Sequence, residues 1–188
     1  MQYLVRLMIA AVLAGLVMFV WGALSHMVFG LGDAGVRPVP NEAALTTAMK
    51  ADIPESGFYV LPGLDMKTAT DAEKAAWNSK YKEGPTAIVI YNTTGDEAFS
   101  AKRFVVELGS NIAAALVVGM ILSLGMVGFS RGVTISVLVG LAGWLSINVS
   151  YWNWYRFPTN FVTAELVDQV VGWLLAGFVL GFILKEKP

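Results

Sequence analysis

The chain has 188 residues, 56% of them hydrophobic and 14% charged, with a formal net charge of -1 and no cysteine. That balance lies outside the range of ordinary soluble domains and makes a bilayer the expected solvent. Disulfides and iron–sulfur clusters are excluded, as is a haem held between two histidines of this chain, because His26 is the single histidine.

The first apolar run extends from Leu7 to Phe29. Arg6 precedes it as the charged region of a secretory signal would, but the run is too long. Trp21, His26 and Met27 also stand where small cleavage-site residues belong. It reads as a membrane span. Three more runs follow, Phe104 to Phe129, Val133 to Tyr151 and Phe161 to Leu184. Each is near or above the roughly 20 residues that a helix needs to cross about 30 Å of hydrocarbon.

Residues 30–103 separate the first two spans and carry eight basic and ten acidic residues, so they offer no basic surface for nucleic acid. Asn41 is an N-cap for a helix with Leu45, Ala48, Met49 and Ile53 on one face, and Pro54 ends it. Phe58 to Leu61 reads as a strand, and Pro62 with Gly63 as a turn. Thr70 and Glu73 form a capping box for a second helix that runs to about Lys82, where Gly84 and Pro85 stop it. Ala87 to Tyr91 is the second strand, Asn92 to Asp96 a turn, and a helical connection through Phe99 leads into the second span. Two short strands and two helices bury little surface, so this insert is expected to need support from the membrane helices or a partner.

The fold class expected is therefore membrane α-helical, a four-helix transmembrane bundle with a small α/β extramembrane cap inserted between helices 1 and 2. The organisation is 1–29 for the first helix, 30–103 for the cap, and 104–188 for helices 2 to 4 with a short tail. Arg6, Arg131, Lys185 and Lys187 flank one side against Arg156 in the third loop, which places both termini in the cytoplasm. Lys102 and Arg103 oppose that assignment, although long loops translocate largely regardless of charge. The localisation expected is a bacterial inner membrane with an extracytoplasmic cap.

In this topology the polar residues of the spans gather at one end. His26, Glu107, Asn148 and Glu165 fall about 5 Å inside the outer boundary and Asp168 about 10 Å, at 1.5 Å per residue. Ionisable groups inside a span are costly and tend to face a bundle interior or a water-filled cavity. Glu107, Asn111, Ala115, Gly119 and Ser123 recur every four residues, and Glu165, Asp168, Gly172 and Ala176 share a face of the last span. His26 stands above Gly22, near the line of Gly15. Small residues let helices approach closely, which makes these faces helix contacts with polar tips at their mouth.

The polar cluster expected is thus His26, Glu107, Asn111, Asn148, Asn153, Glu165 and Asp168. Its residue types suit a metal, a lipid headgroup or small polar ligand, or a proton relay, but no H-x-x-x-H or E-x-x-H spacing singles out a metal. Against this stands a plain structural role. Glu107 and Glu165 lie in the first turn of their helices, where negative charge favours the helix dipole. Tyr151, Trp152, Trp154 and Tyr155 form either an interfacial aromatic belt or a rim to the pocket, with Asn148 and Asn153 orienting a ligand. Trp144 and Trp173 fall near mid-bilayer and are expected against glycine seams or a neighbouring subunit.

No catalytic motif is present: no phosphate loop, nucleophile elbow or zinc-protease pair of histidines. The polar groups also stop in the outer half of the spans, which disfavours a pump. The function expected first is an accessory or structural subunit that docks in a larger membrane assembly through its cap and glycine-rich helix faces, among them Gly177 and Gly181. The alternative is a small membrane enzyme or binding protein with an outer-leaflet polar pocket. The partners expected are the lipid bilayer and other membrane subunits or further copies of the chain, with the cofactor left unassigned.

Overall fold

The computed structural model describes residues 1–125 and 128–185. It is mostly helical: α1 Gln2–Met27, α2 Glu42–Asp52, β1 Gly57–Leu61, α3 Asp71–Glu83, β2 Ala87–Tyr91, α4 Ala101–Leu122, α5 Phe129–Tyr155 and α6 Thr159–Leu184. Among the described residues four helices, α1, α4, α5 and α6, are long and apolar enough to cross a membrane. The chain divides into two compact units, Met1–Arg37 with Ala98–Pro188, and Pro38–Glu97. The α/β unit is narrower than the 30–103 insert, because residues on both flanks belong to the helical unit.

In the helical unit, α1 and α6 form the central pair. α4 packs on α1, α5 packs on α6, and the chain neighbours α4 and α5 share little surface. Glycine sets the close approaches. A Cβ on Gly15 of α1 would lie 2.6 Å from the Ile112 backbone, and one on Gly119 would lie 2.6 Å from Leu7. On α6, a Cβ at Gly177 would meet the Val133 backbone at 3.1 Å, and one at Gly181 would meet the Phe129 carbonyl at 2.8 Å. The Gly177, Gly181 pair is therefore spent on α5 of the same chain and does not remain open for a partner. Gly132, Ser136 and Gly140, the buried residues of α5, form the matching stripe. Trp173 seats itself on Gly140, where a Cβ would come within 2.2 Å of the indole.

The core that results runs through Ala10 and Ala14 of α1, Ala115 and Val118 of α4, and Ala176 and Leu180 of α6. Four alanines stand in it among leucines, Val118 and Trp173, in keeping with close backbone approach at those points. At one end Arg6 donates to the carbonyls of Ile183 and Lys185, the latter at 3.1 Å. It thereby satisfies acceptors that the last turn of α6 leaves without helical partners and sets a cation at the negative end of the helix dipole.

Two boundaries differ from the apolar runs. α4 stops at Leu122 instead of continuing to Phe129, since Ser123 turns back onto the Gly119 carbonyl and is followed by Gly125 and Gly128. α5 starts at Phe129 and ends at Tyr155, outside both limits of the Val133 to Tyr151 run, because apolarity marks the solvent and not the helix end. Phe99 lies in a turn, and Ser100 caps α4 by accepting from the Arg103 N–H at 3.4 Å.

In the α/β unit, Asn41 caps α2 by accepting from Ala44 at 3.2 Å. Thr70 and Glu73 form the complete capping box of α3. The Thr70 backbone N–H and hydroxyl hold the Glu73 carboxyl below its usual range. β1 and β2 pair antiparallel with Phe58 opposite Ile90 and Val60 opposite Ile88. Trp77 of α3 donates to the Pro62 carbonyl at 3.0 Å and lies beside Tyr81. None of residues 38–97 is fully buried, so the unit has no closed core of its own.

The seam between α1 and α4 predicts a contrast between two glycines. Gly15→Ala forces a methyl against the α4 backbone and lowers stability by about 1–3 kcal/mol, as overpacking does. Gly109→Ala, on an α4 position with nothing within 4 Å, leaves stability unchanged or slightly higher. Unfolding of the detergent-solubilised protein measures both, and equal behaviour of the two variants overturns the seam.

Candidate functional site: a polar cleft at one end of the helical unit

The C-terminal third of α1 packs against α4 and α6, and the three helices enclose a cleft of about 350 Å³. α1 contributes Met18, Trp21, Gly22 and His26, a face spaced by three and four residues. Glu107 and Asn111 come from α4, and Asp168, Gln169, Gly172 and Trp173 from α6. This volume falls in the range of small-molecule sites, which are apolar for the most part with a few convergent polar groups.

The chain leaving α1 shapes one side of this end. Gly30 adopts the left-handed conformation, with φ of 71°, and the turn Leu31–Asp33 packs on both α1 and α6. A Cβ on Gly32 would come within 2.7 Å of His26 Nδ1, so the missing side chain at 32 leaves the imidazole its room.

Trp21 is the wall between α1 and α6. Its Nε1 donates to the Asp168 carbonyl at 3.2 Å, and its ring lies 3.3 Å from where a Gly172 Cβ would stand. A Cβ there would press on the indole, which would have to give by a few tenths of an ångström. Phe29 leans on the same ring, with centroids 6.0 Å apart.

Asp168 is the most consequential group in the cleft. Its side chain is 17% exposed, and its Oδ2 stands 3.8 Å from His26 Nε2, an ion-pair distance too long for a hydrogen bond. Its Oδ1 is buried with no hydrogen-bond partner among the described residues. A buried acceptor without a donor is costly, more so when it belongs to a charged group. Nearer the mouth, Asn111 donates to Glu107 at 3.3 Å, and Glu107 is exposed.

Of the sequence-predicted cluster, His26, Glu107, Asn111 and Asp168 converge. Glu165 is half-buried one turn before Asp168 and does not line the cleft. Asn148 and Asn153 are on α5, across α6, and stand apart from it. Asn153 and Trp152 border a separate shallow depression of about 430 Å³ with Arg156, Phe157 and Thr159, where Trp152 donates to Thr159 at 3.2 Å. Tyr151 packs on Tyr155 and Phe157 at the same corner, and Trp154 is exposed. The aromatic residues thus form no rim to the cleft, because α5 docks on the far side of α6. Trp144 donates to the Val162 carbonyl at 3.0 Å, a tie between α5 and α6.

Sequence reasoning missed Met18, Trp21, Gln169 and Trp173 as lining residues. The signal for Trp21 and Met18 was their placement one and two turns below His26 on the face that carries Gly22. Among the described residues no three His, Asp or Glu side chains come together as a metal would need. Comparison of the chain with protein-family models, characterised proteins and solved structures finds no match.

The Trp21 wall is testable at Gly172. Gly172→Val drives the indole off the α6 backbone, so its N–H loses the Asp168 acceptor, moves upfield in the NMR spectrum and exchanges faster. Gly143→Val, where nothing lies within 4 Å, leaves that resonance in place. An unmoved indole signal in Gly172→Val refutes the contact.

Proposed function

We propose that the chain is a multi-pass protein of a bacterial inner membrane that binds a small polar ligand in the cleft between α1, α4 and α6. The observation that carries this reading is the convergence of His26, Glu107, Asn111, Asp168 and Gln169 from three helices on one cleft. Polar groups from three helices that meet around a cavity of this size are the usual lining of a small-ligand site. The reading is of a binding protein.

The proposed orientation has both termini in the cytoplasm, so that the cleft and the α/β unit lie on the extracytoplasmic side. Arg6, Arg131 and Lys185 at the opposite helix ends support it, against Arg156 alone between α5 and α6. Because the chain has no cysteine, a single introduced thiol reports its own accessibility. Gln169→Cys reacts with a membrane-impermeant maleimide added from outside, whereas Ala176→Cys, fully buried, does not. Reaction of Gln169→Cys from the cytoplasmic side alone reverses the orientation and keeps the cleft. Absence of reaction from both sides removes the cleft reading.

A second reading, an accessory subunit of a larger assembly, draws support from the α/β unit. Phe58, Val60 and Ile90 stand exposed on the two strands, with Phe58 and Ile90 directly paired. Gly15, Gly119, Gly177 and Gly181 are occupied within the chain, so docking through those four glycines loses support. On this reading the protein leaves mild detergent in a complex larger than its own 20.2 kDa, and Phe58→Ser with Ile90→Ser releases it. Elution of the wild-type chain alone counts against the subunit role.

A further inference from the structure

We infer that residues 38–97 rest on the surface of the bilayer through the apolar face of their two strands, an inference that needs the helices to span a membrane but needs neither the cleft nor a given orientation. Side chains alternate across a strand, so Phe58 and Val60 share one face of β1, and the register sets Ile90 and Ile88 beside them on β2. Phe58, Val60 and Ile90 are exposed, which leaves the face open. Contiguous apolar surface of this kind marks a contact with protein or with membrane.

The path of the chain selects the membrane. Before the unit, the turn Leu31–Asp33 packs on α1 and α6, and a Cβ on Gly35 would lie 3.0 Å from Asn160 and from Phe161, so the chain is held at the start of α6 up to that point. After the unit, Ser100 caps α4. Only Val36 with Arg37 and Ala98 with Phe99 remain as leashes, each letting the unit reach about 10 Å from its anchor at full extension. Both anchors stand at the start of an apolar run, Phe161 onward in α6 and Phe104 onward in α4, which is the edge of the bilayer. Val36 and Phe99 are exposed, so the leashes continue the lipid-facing surface toward the strands. A surface so near is met at a far higher effective concentration than a separate partner. Lipid also suits a two-stranded ribbon, in which each strand keeps one unpaired edge. Those backbone groups cannot enter hydrocarbon, but they stay hydrated when the side chains of one face alone dip into the headgroup layer. With nine acidic and five basic residues the unit gains nothing from anionic lipid, so the contact is apolar and zwitterionic lipid suffices.

Collision rates of a nitroxide label test the contact, since a single introduced thiol carries the label in a chain without cysteine. The full chain is placed in phosphatidylcholine nanodiscs, where both sides of the membrane are open, and collisions with oxygen, which concentrates in hydrocarbon, are compared with those of a water-soluble nickel chelate. Ile90→Cys reports the strand face, Asp71→Cys the exposed first turn of α3, and Leu138→Cys the exposed flank of α5 within its span. The oxygen-to-nickel ratio at Ile90→Cys is expected to exceed that at Asp71→Cys severalfold and to approach that at Leu138→Cys, with no change when phosphatidylglycerol is added. Val60→Cys, on the same face, gives the same result should Ile90→Cys fail to fold. Equal ratios at Ile90→Cys and Asp71→Cys refute the contact. Few collisions with either reagent at Ile90→Cys mean that protein covers the face, a second copy or another chain, and refute it as well. A high ratio that appears only with phosphatidylglycerol makes the contact electrostatic and overturns the apolar face as its cause. A low ratio at Leu138→Cys removes the membrane reading itself, and the inference falls with it, a failure distinct from the others because it shows at a helix and not at the strands.

Discussion

The approach of helix backbones at glycine is the constraint on which the rest of the helical unit depends. In hydrocarbon there is no hydrophobic force to drive apolar helices together, so close packing and hydrogen bonds must do it. α6 meets this condition on two sides. Gly177 and Gly181 admit α5, while Gly172 admits the Trp21 indole from α1. α1 meets it again with Gly15 against Ile112, and α4 returns a glycine, Gly119, to Leu7. The central pair of α1 and α6 follows from this placement of glycines, and so does the near absence of contact between α4 and α5, which share no such seam.

The two ends of that pair have opposite chemistry. At one, Arg6 closes the last turn of α6 by donating to its free carbonyls. At the other, the last turns of α1 lie beside α6 at Asp168, and the cleft opens there between α1, α4 and α6. Trp21 is the hinge of this difference, since the glycine that brings its indole onto α6 sets Asp168 beside His26 while leaving one carboxylate oxygen bare. Packing and site are products of one contact. A buried carboxylate oxygen without a donor is a cost to folding.

The α/β unit follows a different rule. Its local signals are strong: a capped α2, a complete capping box on α3, and paired strands of matched length. Yet two strands and two helices leave no residue fully buried. Local structure is satisfied there without a core, which is the condition of a segment whose stability is completed by what it rests on.

Four membrane-length helices, the insert with its helix and strand order, both N-caps and both strands were legible in the amino-acid sequence. Each follows from short-range chemistry: an apolar stretch of fixed length, a capping side chain three residues from its partner, a glycine–proline stop. The gathering of His26, Glu107, Asn111 and Asp168 was legible too, because alternate spans bring those ends together and four-residue spacing sets them on the small-residue faces. Which helix lies beside which was not. A glycine stripe announces a contact without naming the partner, so Gly177 and Gly181 read equally well as an open docking face until the tertiary structure set Phe129 and Val133 against them. For the same reason Asn148, Asn153 and the aromatic corner were assigned to a pocket that α6 separates from them, and Trp21 went unassigned, since its role exists only where Gly172 of another helix makes room for it.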